Sequence, residues 1–337
     1  MKLMKKLKSS LAEAVRSSVF LSCVYYTFTD LYIRVRFRMG NIKTNSGTIH
    51  SSLSLQASLD YIYEVFTDYK QYSGITSFYG RVAEVGPGDN CGVGLLFLAD
   101  GCSSIDLVDR FYSHRDPEVH AKIYRILLES HDSLTAFIGQ ADLNNEKTFS
   151  GINRYYGPEA AAESFFSNNH KGYDFIVSRA VFEHLYDPLT ALTKMAEALN
   201  PGGMLLHKVD LRDHGLFSRQ FHELKFLEVP DWLYFLMTSA SGRPNRVLVH
   251  RYKQCIAKLN LEPQFLVTRL AGVGDINPHR IYSEIPLNLR QQAIKYVQSI
   301  RHRFAAAFHN VSDEDLSIAG IFIVARKPNS KITKCAA

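Results

Sequence analysis

Residues 81–109, RVAEVGPGDNCGVGLLFLADGCSSIDLVD, constrain what this chain can fold into more than any other stretch. Val82 to Val85 form a short apolar run suited to a buried strand. Gly86, Gly88 and Gly92 then fall where the backbone must turn sharply and present main-chain N–H groups to a ligand. A helical apolar run follows, and then a second strand that ends in an acid. Asp109 lies 21 positions after Gly88, where the second strand of a doubly wound unit ends and its carboxylate can accept hydrogen bonds from ribose hydroxyls. Strand, turn, helix and acid agree on a nucleotide cradle.

The turn also says which nucleotide. A dinucleotide site uses G-x-G-x-x-G, whereas here the third glycine comes one residue late. Glu84, at the end of the first strand, would repel a pyrophosphate but can meet the ammonium of a zwitterionic ligand. S-adenosylmethionine fits that demand, carrying an ammonium, a sulfonium and no phosphate. No tyrosine is followed four residues later by lysine, so the proton-relay pair of short-chain dehydrogenases is missing.

Three segments in order, EVGPGDNCG at 84–92, YDFIVSRAVFEHL at 173–185 and LNPGGMLLHKVD at 199–210, resemble the class I S-adenosylmethionine-dependent methyltransferases over roughly residues 55–270. The resemblance implies a Rossmann-like, doubly wound, mostly parallel seven-stranded α/β sheet with helices on both faces and an antiparallel last strand. It implies S-adenosyl-L-methionine as cofactor, held by Glu84, Gly86, Pro87, Gly88, Asp109, Ser178 and Ala180. An acid after the third strand would reach the adenine amino group, and Glu159 is the candidate taken, with Glu163 as the other. The runs HKVDLRDHG, PDWLYFLM and SGRPNR are similar to methyltransferases of bacterial polysaccharide or sugar modification.

Periodicity supplies the rest of the element order. Leu55, Leu59, Ile62, Phe66 and Tyr69 recur at helical spacing before the first strand. Strands are expected at 82–85, 104–109, 152–157, 175–178, 204–209, 264–270 and 319–325, with helices at 91–100, 117–129 and 249–259 between them. Another helix begins at Asp187 as cap with Pro188 in its first position, and the Asn200–Gly203 turn ends it. At 337 residues and 46% hydrophobic, the chain can bury one large core plus appendages. The expected organisation is therefore an arm and linker at 1–50, a methyltransferase domain at 51–330 and a tail at 331–337.

The arm carries Lys2, Lys5, Lys6, Lys8, Arg16, Arg34, Arg36, Arg38 and Lys43 against only Glu13 and Asp30, around an apolar patch, VFLSCVYYTF, at 19–28. Ten residues are too few to span a bilayer, which needs about 20, and no signal-peptide pattern surrounds them. A helix packed on the domain or on a second copy is the first expectation. Peripheral contact with an anionic inner membrane is the second. The remainder of the chain is close to neutral, which argues against nucleic acid as a partner. Five cysteines with no C-x-x-C spacing imply neither a disulfide framework nor a zinc knuckle and point to the cytoplasm.

Two insertions decorate the core, at about 215–247 and 271–317. The first concentrates aromatic residues just after the fifth strand and is expected to act as a lid, with Trp232, Arg243 and Asn245 as candidate substrate contacts. The acceptor is expected to be a small molecule or a glycan, a polar one such as a sugar methylated on oxygen, with a lipid-like, amine or natural-product acceptor, or a cofactor-binding scaffold without turnover, as the alternatives. For a hydroxyl acceptor a base is needed at the ends of strands four and five. The candidates are His184, His207, Asp210 and His214, with His214 or His184 as base and Asp210 orienting it. Their spacing matches no rigid metal site and Lys208 and Arg212 interleave them, so no metal is expected.

Overall fold

The computed structural model describes residues 13–167, 171–218 and 220–329. Eight strands form the main sheet: β1 Gly80–Val85, β2 Cys102–Asp109, β3 Ile152–Tyr156, β4 Tyr173–Arg179, β5 Leu199–Asp210, β6 Glu262–Leu270, β7 Gly274–Ile281 and β8 Ile318–Arg326. Their order across the sheet is β3-β2-β1-β4-β5-β8-β6-β7. The first five pair in parallel, and β8 is inserted antiparallel between β5 and β6. This is the doubly wound order, reversing between β1 and β4, and ligands bind at the carboxyl ends of strands at such a switch point.

The sheet has one strand more than the seven expected. β7 pairs antiparallel with β6 at the edge and reads GDINPHRI, with one buried position and a proline that can donate no ladder hydrogen bond. Edge strands tolerate such composition, so apolar alternation could not reveal it. β5 also starts earlier than expected: the backbone is already extended at Leu199, directly after the preceding helix, and Gly202 turns it with φ 81° inside the strand.

Eight longer helices accompany the sheet: α1 Val19–Arg38, α2 Leu55–Ser73, α3 Gly92–Asp100, α4 Pro117–Ser130, α5 Pro188–Ala198, α6 Asp231–Thr238, α7 Val249–Ile256 and α8 Leu287–Ile300. Their starts follow capping chemistry. Ser54 accepts from Ala57 N–H, Asp116 from Val119 N–H and Asp187 from Thr190 N–H, and proline takes the first position of α4 and α5. α2, α3 and α4 bury Leu59, Ile62, Leu96, Phe97, Ile123 and Tyr124 against one face of the sheet. α5 and α7 bury Leu192, Met195, Val249 and Tyr252 against the other. Gly92 sits where α3 meets α2, and a Cβ there would come within 2.5 Å of Ile62 Cδ1. The late third glycine therefore serves close helix packing.

A third core joins the arm to both insertions. Cys23 and Tyr26 of α1 pack with Phe217, Phe226, Tyr234 and Met237 of the first insertion and with Val297, Ile300, Phe304 and Phe308 of the second. α8 ends at Ile300, and Phe304 and Phe308 reach the same core from the turns that follow. The arm is thus a wall of the same body, Tyr26 donating to the Leu216 carbonyl at 2.7 Å. Among the described residues no helix is long and apolar enough to cross a membrane, and Cys23, Cys91, Cys102 and Cys255 are free thiols. The tail expected at 331–337 lies outside the described residues.

Candidate functional site

At the switch point lies a cavity of ≈ 450 Å³. Its floor is the turn after β1, Val85 to Asp89, together with Val108 and Asp109 from the end of β2 and Ala180 and Val181 from the end of β4. Gly86 has φ 71° and Gly88 φ 69°, the left-handed region that glycine tolerates. A Cβ on Gly86 would collide with Val181, and one on Gly88 would lie 2.7 Å from the Gly47 carbonyl oxygen. Asp109 accepts from the Phe111 N–H at 2.9 Å. Burial pushes its carboxyl up to about 6, against the pull of that hydrogen bond. Ala180, with φ 54°, is one of two described non-glycine residues in the left-handed region. The other is His214, and strain of this kind concentrates at working sites.

Several expected cofactor contacts sit elsewhere. Glu84 is buried on the α2 and α3 side of β1 and does not line the cavity. Burial raises its pKa to about 7, and its Oε2 has no hydrogen-bond partner among the described residues. Ser178 is fully buried and bonds His207 Nδ1 at 2.8 Å, again outside the cavity lining. Of the two acids named after β3, Glu163 lines the cavity and the exposed Glu159 does not. Glu163 Oε1 accepts from the Tyr186 and Asp187 N–H groups at 2.9 and 3.1 Å.

The roof was not legible in the sequence. Residues 40–50 read as a linker, yet Lys43, Thr44, Ser46, Gly47, Ile49 and His50 line the cavity. Gly47 carbonyl accepts from the Asp89 N–H, and Asp89 accepts from the N–H and hydroxyl of Ser51. Above them α1 contributes Ile33, Arg36 and Phe37. Arg110, between Phe37 and Tyr186, stacks on both rings at 5.3 and 4.2 Å. Buried Arg154 donates to the Gly88 carbonyl at 3.1 Å and pairs with Glu146. No local motif marks any of these, because each becomes part of the site only through chain crossings.

The candidate bases divide. His184 lines the cavity. Burial, aided by neighbouring His214, lowers its pKa to about 4, so it is a neutral proton acceptor at neutral pH. Its Nδ1 is buried without a hydrogen-bond partner among the described residues. Behind it His214 meets it edge to face with ring centroids 4.9 Å apart. His214 Nε2 lies 3.4 Å from Asp210 Oδ2 and 3.5 Å from Glu183 Oε1. Burial opposes the charge on Asp210, but the Arg212 guanidinium and His214 hold its pKa below the ordinary value. Glu183, which the sequence did not single out, is almost fully buried, and burial holds its carboxyl well above the usual range. His207 is fully buried against Phe182, and burial drives it down to about 3. That burial keeps it from any acceptor. Glu183, His184 and His214 offer ligand atoms within 4.8 Å of one another that a metal could use. Arg212, bonded to Asp210 at 2.6 Å, already supplies a cation at that edge.

The expected lid contacts are likewise redistributed. Trp232 is 66% exposed and is not part of the cavity lining. Arg243 lies over the Tyr26 ring at 4.3 Å and donates to the Met237 carbonyl. Asn245 donates to the Phe182 and Leu185 carbonyls at 2.8 and 3.0 Å and accepts from Val247 N–H. It clamps the turn that carries His184. From the first insertion Ser241 and Gly242 reach the cavity.

The family profile described as "Methyltransferase domain" matches residues 63–262. The chain belongs to that family. It is a class I S-adenosylmethionine-dependent methyltransferase with the Rossmann-like strand order, and S-adenosyl-L-methionine is its cofactor. Solved structures similar to this methyltransferase include the YcgJ protein from Bacillus subtilis, at 12% identity and TM-score 0.40, covering 79% of this chain and 99% of that one. A putative methyltransferase in complex with the Haloferax volcanii Trm112 activator is 13% identical at TM-score 0.39, covering 81% and 94%. Phosphoethanolamine N-methyltransferase 2 from Haemonchus contortus is 15% identical at TM-score 0.37, covering 79% and 52%. At these values the likenesses say nothing about acceptor or partner. No curated protein matches the sequence.

The residues present fit the cofactor. Gly86 and Gly88 leave the space a side chain would fill, and Asp109 offers a carboxylate at the end of β2. Ala160, Ala162 and Glu163 provide a wall of small residues with an acid beside it.

Proposed function

We propose that this methyltransferase methylates a hydroxyl oxygen of a polar acceptor such as a sugar or glycan, with His184 taking the proton. The observation that carries the reading is His184 on the cavity wall, backed by His214, Asp210 and Glu183. Gly86, Pro87, Gly88, Asp109, Ala180 and Glu163 would hold the cofactor. Bound there, S-adenosylmethionine supplies an electrophilic methyl group and departs as S-adenosylhomocysteine. The protein's part is to align the acceptor, exclude water and accept the hydroxyl proton on a ring nitrogen of His184. His214, lying between Asp210 and Glu183, packs edge to face on that ring and fixes its position, and the Asp210 carboxylate is the nearby charge that favours the imidazolium that forms. Phe37, Tyr61 and Tyr186 supply ring faces around the cavity, and Arg36, Asn41 and Ser241 supply polar groups, a mixture suited to a hydroxyl-rich acceptor.

A lipid-like acceptor is a second reading, favoured by the apolar outer face of α1, the helix whose other side lines the cavity. The test is release of S-adenosylhomocysteine with panels of glycosides, amines and lipid-like alcohols. Turnover with glycosides and loss of it in His184→Ala support the reading. Turnover confined to amines overturns it.

A further inference from the structure

The outer surface of α1 inverts the usual pattern of a packed helix. Its buried positions are Ser22, Cys23, Tyr26 and Asp30. Asp30 is held by the Ser239 hydroxyl, the Ala240 N–H and Arg34. These polar contacts fix which side of the helix faces the protein. Left outside are Phe20, Leu21, Val24, Tyr25, Phe28, Leu31, Tyr32 and Val35, with Met39 just beyond the end, and Phe20 is 73%, Phe28 69% and Met39 78% exposed. At 3.6 residues per turn they fall within an arc of about 140°. α6, which packs against α1, adds exposed Trp232, Phe235 and Leu236. Most of the large apolar side chains exposed on the described surface therefore lie on two adjoining helices. Scattered exposure needs no explanation, but a concentrated face of this kind marks a contact surface.

We propose that this face docks in the plane of an anionic membrane surface, with α1 lying in the interface. Charge complementarity selects the occupant. Exposed Arg38 and partly exposed Arg36 border the apolar arc, and the chain ahead of the helix carries Lys2, Lys5, Lys6 and Lys8. Only two acids stand against them in residues 1–43: Asp30, buried and paired with Arg34, and Glu13, so the basic side chains outnumber the acids. Tyrosine and tryptophan mixed with phenylalanine, leucine and flanking arginine and lysine suit the headgroup boundary. Each basic side chain near such a surface adds to the attraction. A second copy of this chain would bring the same cations onto themselves, which disfavours that occupant. With four charged residues, Asp30, Arg34, Arg36 and Arg38, in its last turns, α1 lies on a bilayer and does not cross it.

Docking in this pose has a consequence for the site. Ile33 and Phe37, on the opposite side of α1, and Arg36, at the edge of the arc, line the cavity, so the helix that touches the membrane also forms one wall of the reaction chamber. The proposal rests on this surface and not on the acceptor or on methyl transfer.

The test is cosedimentation of the full chain with vesicles of phosphatidylcholine alone and of phosphatidylcholine with phosphatidylglycerol, at low and high salt. Light scattering without vesicles runs in parallel. The expected result is binding to the anionic vesicles that weakens at least tenfold in high salt or without phosphatidylglycerol. Phe20→Ser combined with Phe28→Ser should weaken it at least tenfold, and Phe235→Ser should weaken it separately. These side chains are exposed, so the thermal midpoint and S-adenosylhomocysteine binding should hold, which separates failure here from failure of the methyltransferase site. Wild type that ignores both vesicles, or double-variant binding equal to wild type, overturns the proposal. A dimer that ignores vesicles and becomes monomeric in the double variant assigns the face to a second copy and overturns it equally.

Discussion

The carbonyl oxygen of Gly47 accepts a hydrogen bond from the Asp89 backbone N–H at 2.9 Å, and the same oxygen lies 2.7 Å from where a Cβ on Gly88 would stand. A segment far upstream of the glycine turn is thereby seated directly on it. Gly88→Ala should push the two apart as well as strain a backbone held at positive φ. Thermal unfolding with S-adenosylhomocysteine at about 100 times its wild-type dissociation constant should show about 2.7 kcal/mol of stabilisation in the wild type. The variant should lose most of it. An unchanged shift would separate the roof segment from the cofactor site.

Asp109 lines the cavity at the end of β2, and in the proposed cofactor pose Asp109→Asn keeps the shape while weakening the hydrogen-bond acceptor. Loss of a charged hydrogen bond of this kind costs about 1.5–3 kcal/mol, so calorimetry should find S-adenosylhomocysteine bound roughly 10- to 150-fold more weakly. Glu159→Gln should leave that affinity unchanged, because Glu159 is exposed and outside the cavity lining, whereas Glu163→Gln should lower it.

His184→Ala should reduce kcat by about 10²- to 10⁴-fold, the usual contribution of a positioned base, with cofactor affinity changed far less. In the wild type the rate should fall as pH drops through about 4, where His184 takes up its proton. Asp210→Asn should cost less, since it acts through His214. A His184→Ala rate within a few-fold of wild type would remove the assignment.

Below neutrality two opposing contributions to the pH dependence of stability should be separable. His207 and His184 are held at about 3 and about 4 in the fold, against about 6.5 in an unfolded chain. Below pH 6.5 the unfolded state therefore takes up protons that the folded state refuses. Stability falls by up to about 1.4 kcal/mol per pH unit for each histidine until the folded pKa is reached. Glu84 runs the other way: raised to about 7, its contribution is complete below the ordinary carboxyl pKa and is lost as pH rises through 7. Urea titrations at several pH values should show His207→Asn reducing the loss of stability below pH 6.5, and Glu84→Gln removing the opposing loss that accrues as pH rises from the ordinary carboxyl pKa to about 7.

Asn245→Ala removes two donors from the carbonyls of Phe182 and Leu185 and one acceptor from the Val247 N–H. At about 1 kcal/mol for each bond, the protein should lose about 2–4 kcal/mol of stability by urea unfolding. Its kcat should fall as well, because the same turn carries His184. Trp232→Ser, on an exposed side chain, should leave turnover of a water-soluble acceptor unchanged.

The sequence by itself determined the cradle: Gly86, Gly88 and Asp109, the strands that carry them, the capped start of α5 and the late strand β8. Each depends on neighbours a few positions away, through backbone sterics, capping and apolar periodicity, and so can be read along the chain. Only the tertiary structure decided which titratable groups share the site. His214 reaches Glu183 because β5 crosses beside β4 and the chain then turns back at positive φ, while His207, seven residues earlier and equally suggestive in sequence, points into the core. The same holds for the roof and the lid. Gly47 and Phe37 carry no local mark of a binding role, and the aromatic residues of the first insertion looked like substrate contacts until α1 claimed one side of them and left Trp232 and Phe235 on the other. Strand crossovers and helix docking join residues distant in sequence, and the free energy that selects those contacts is spread over the whole core and not encoded in any one segment.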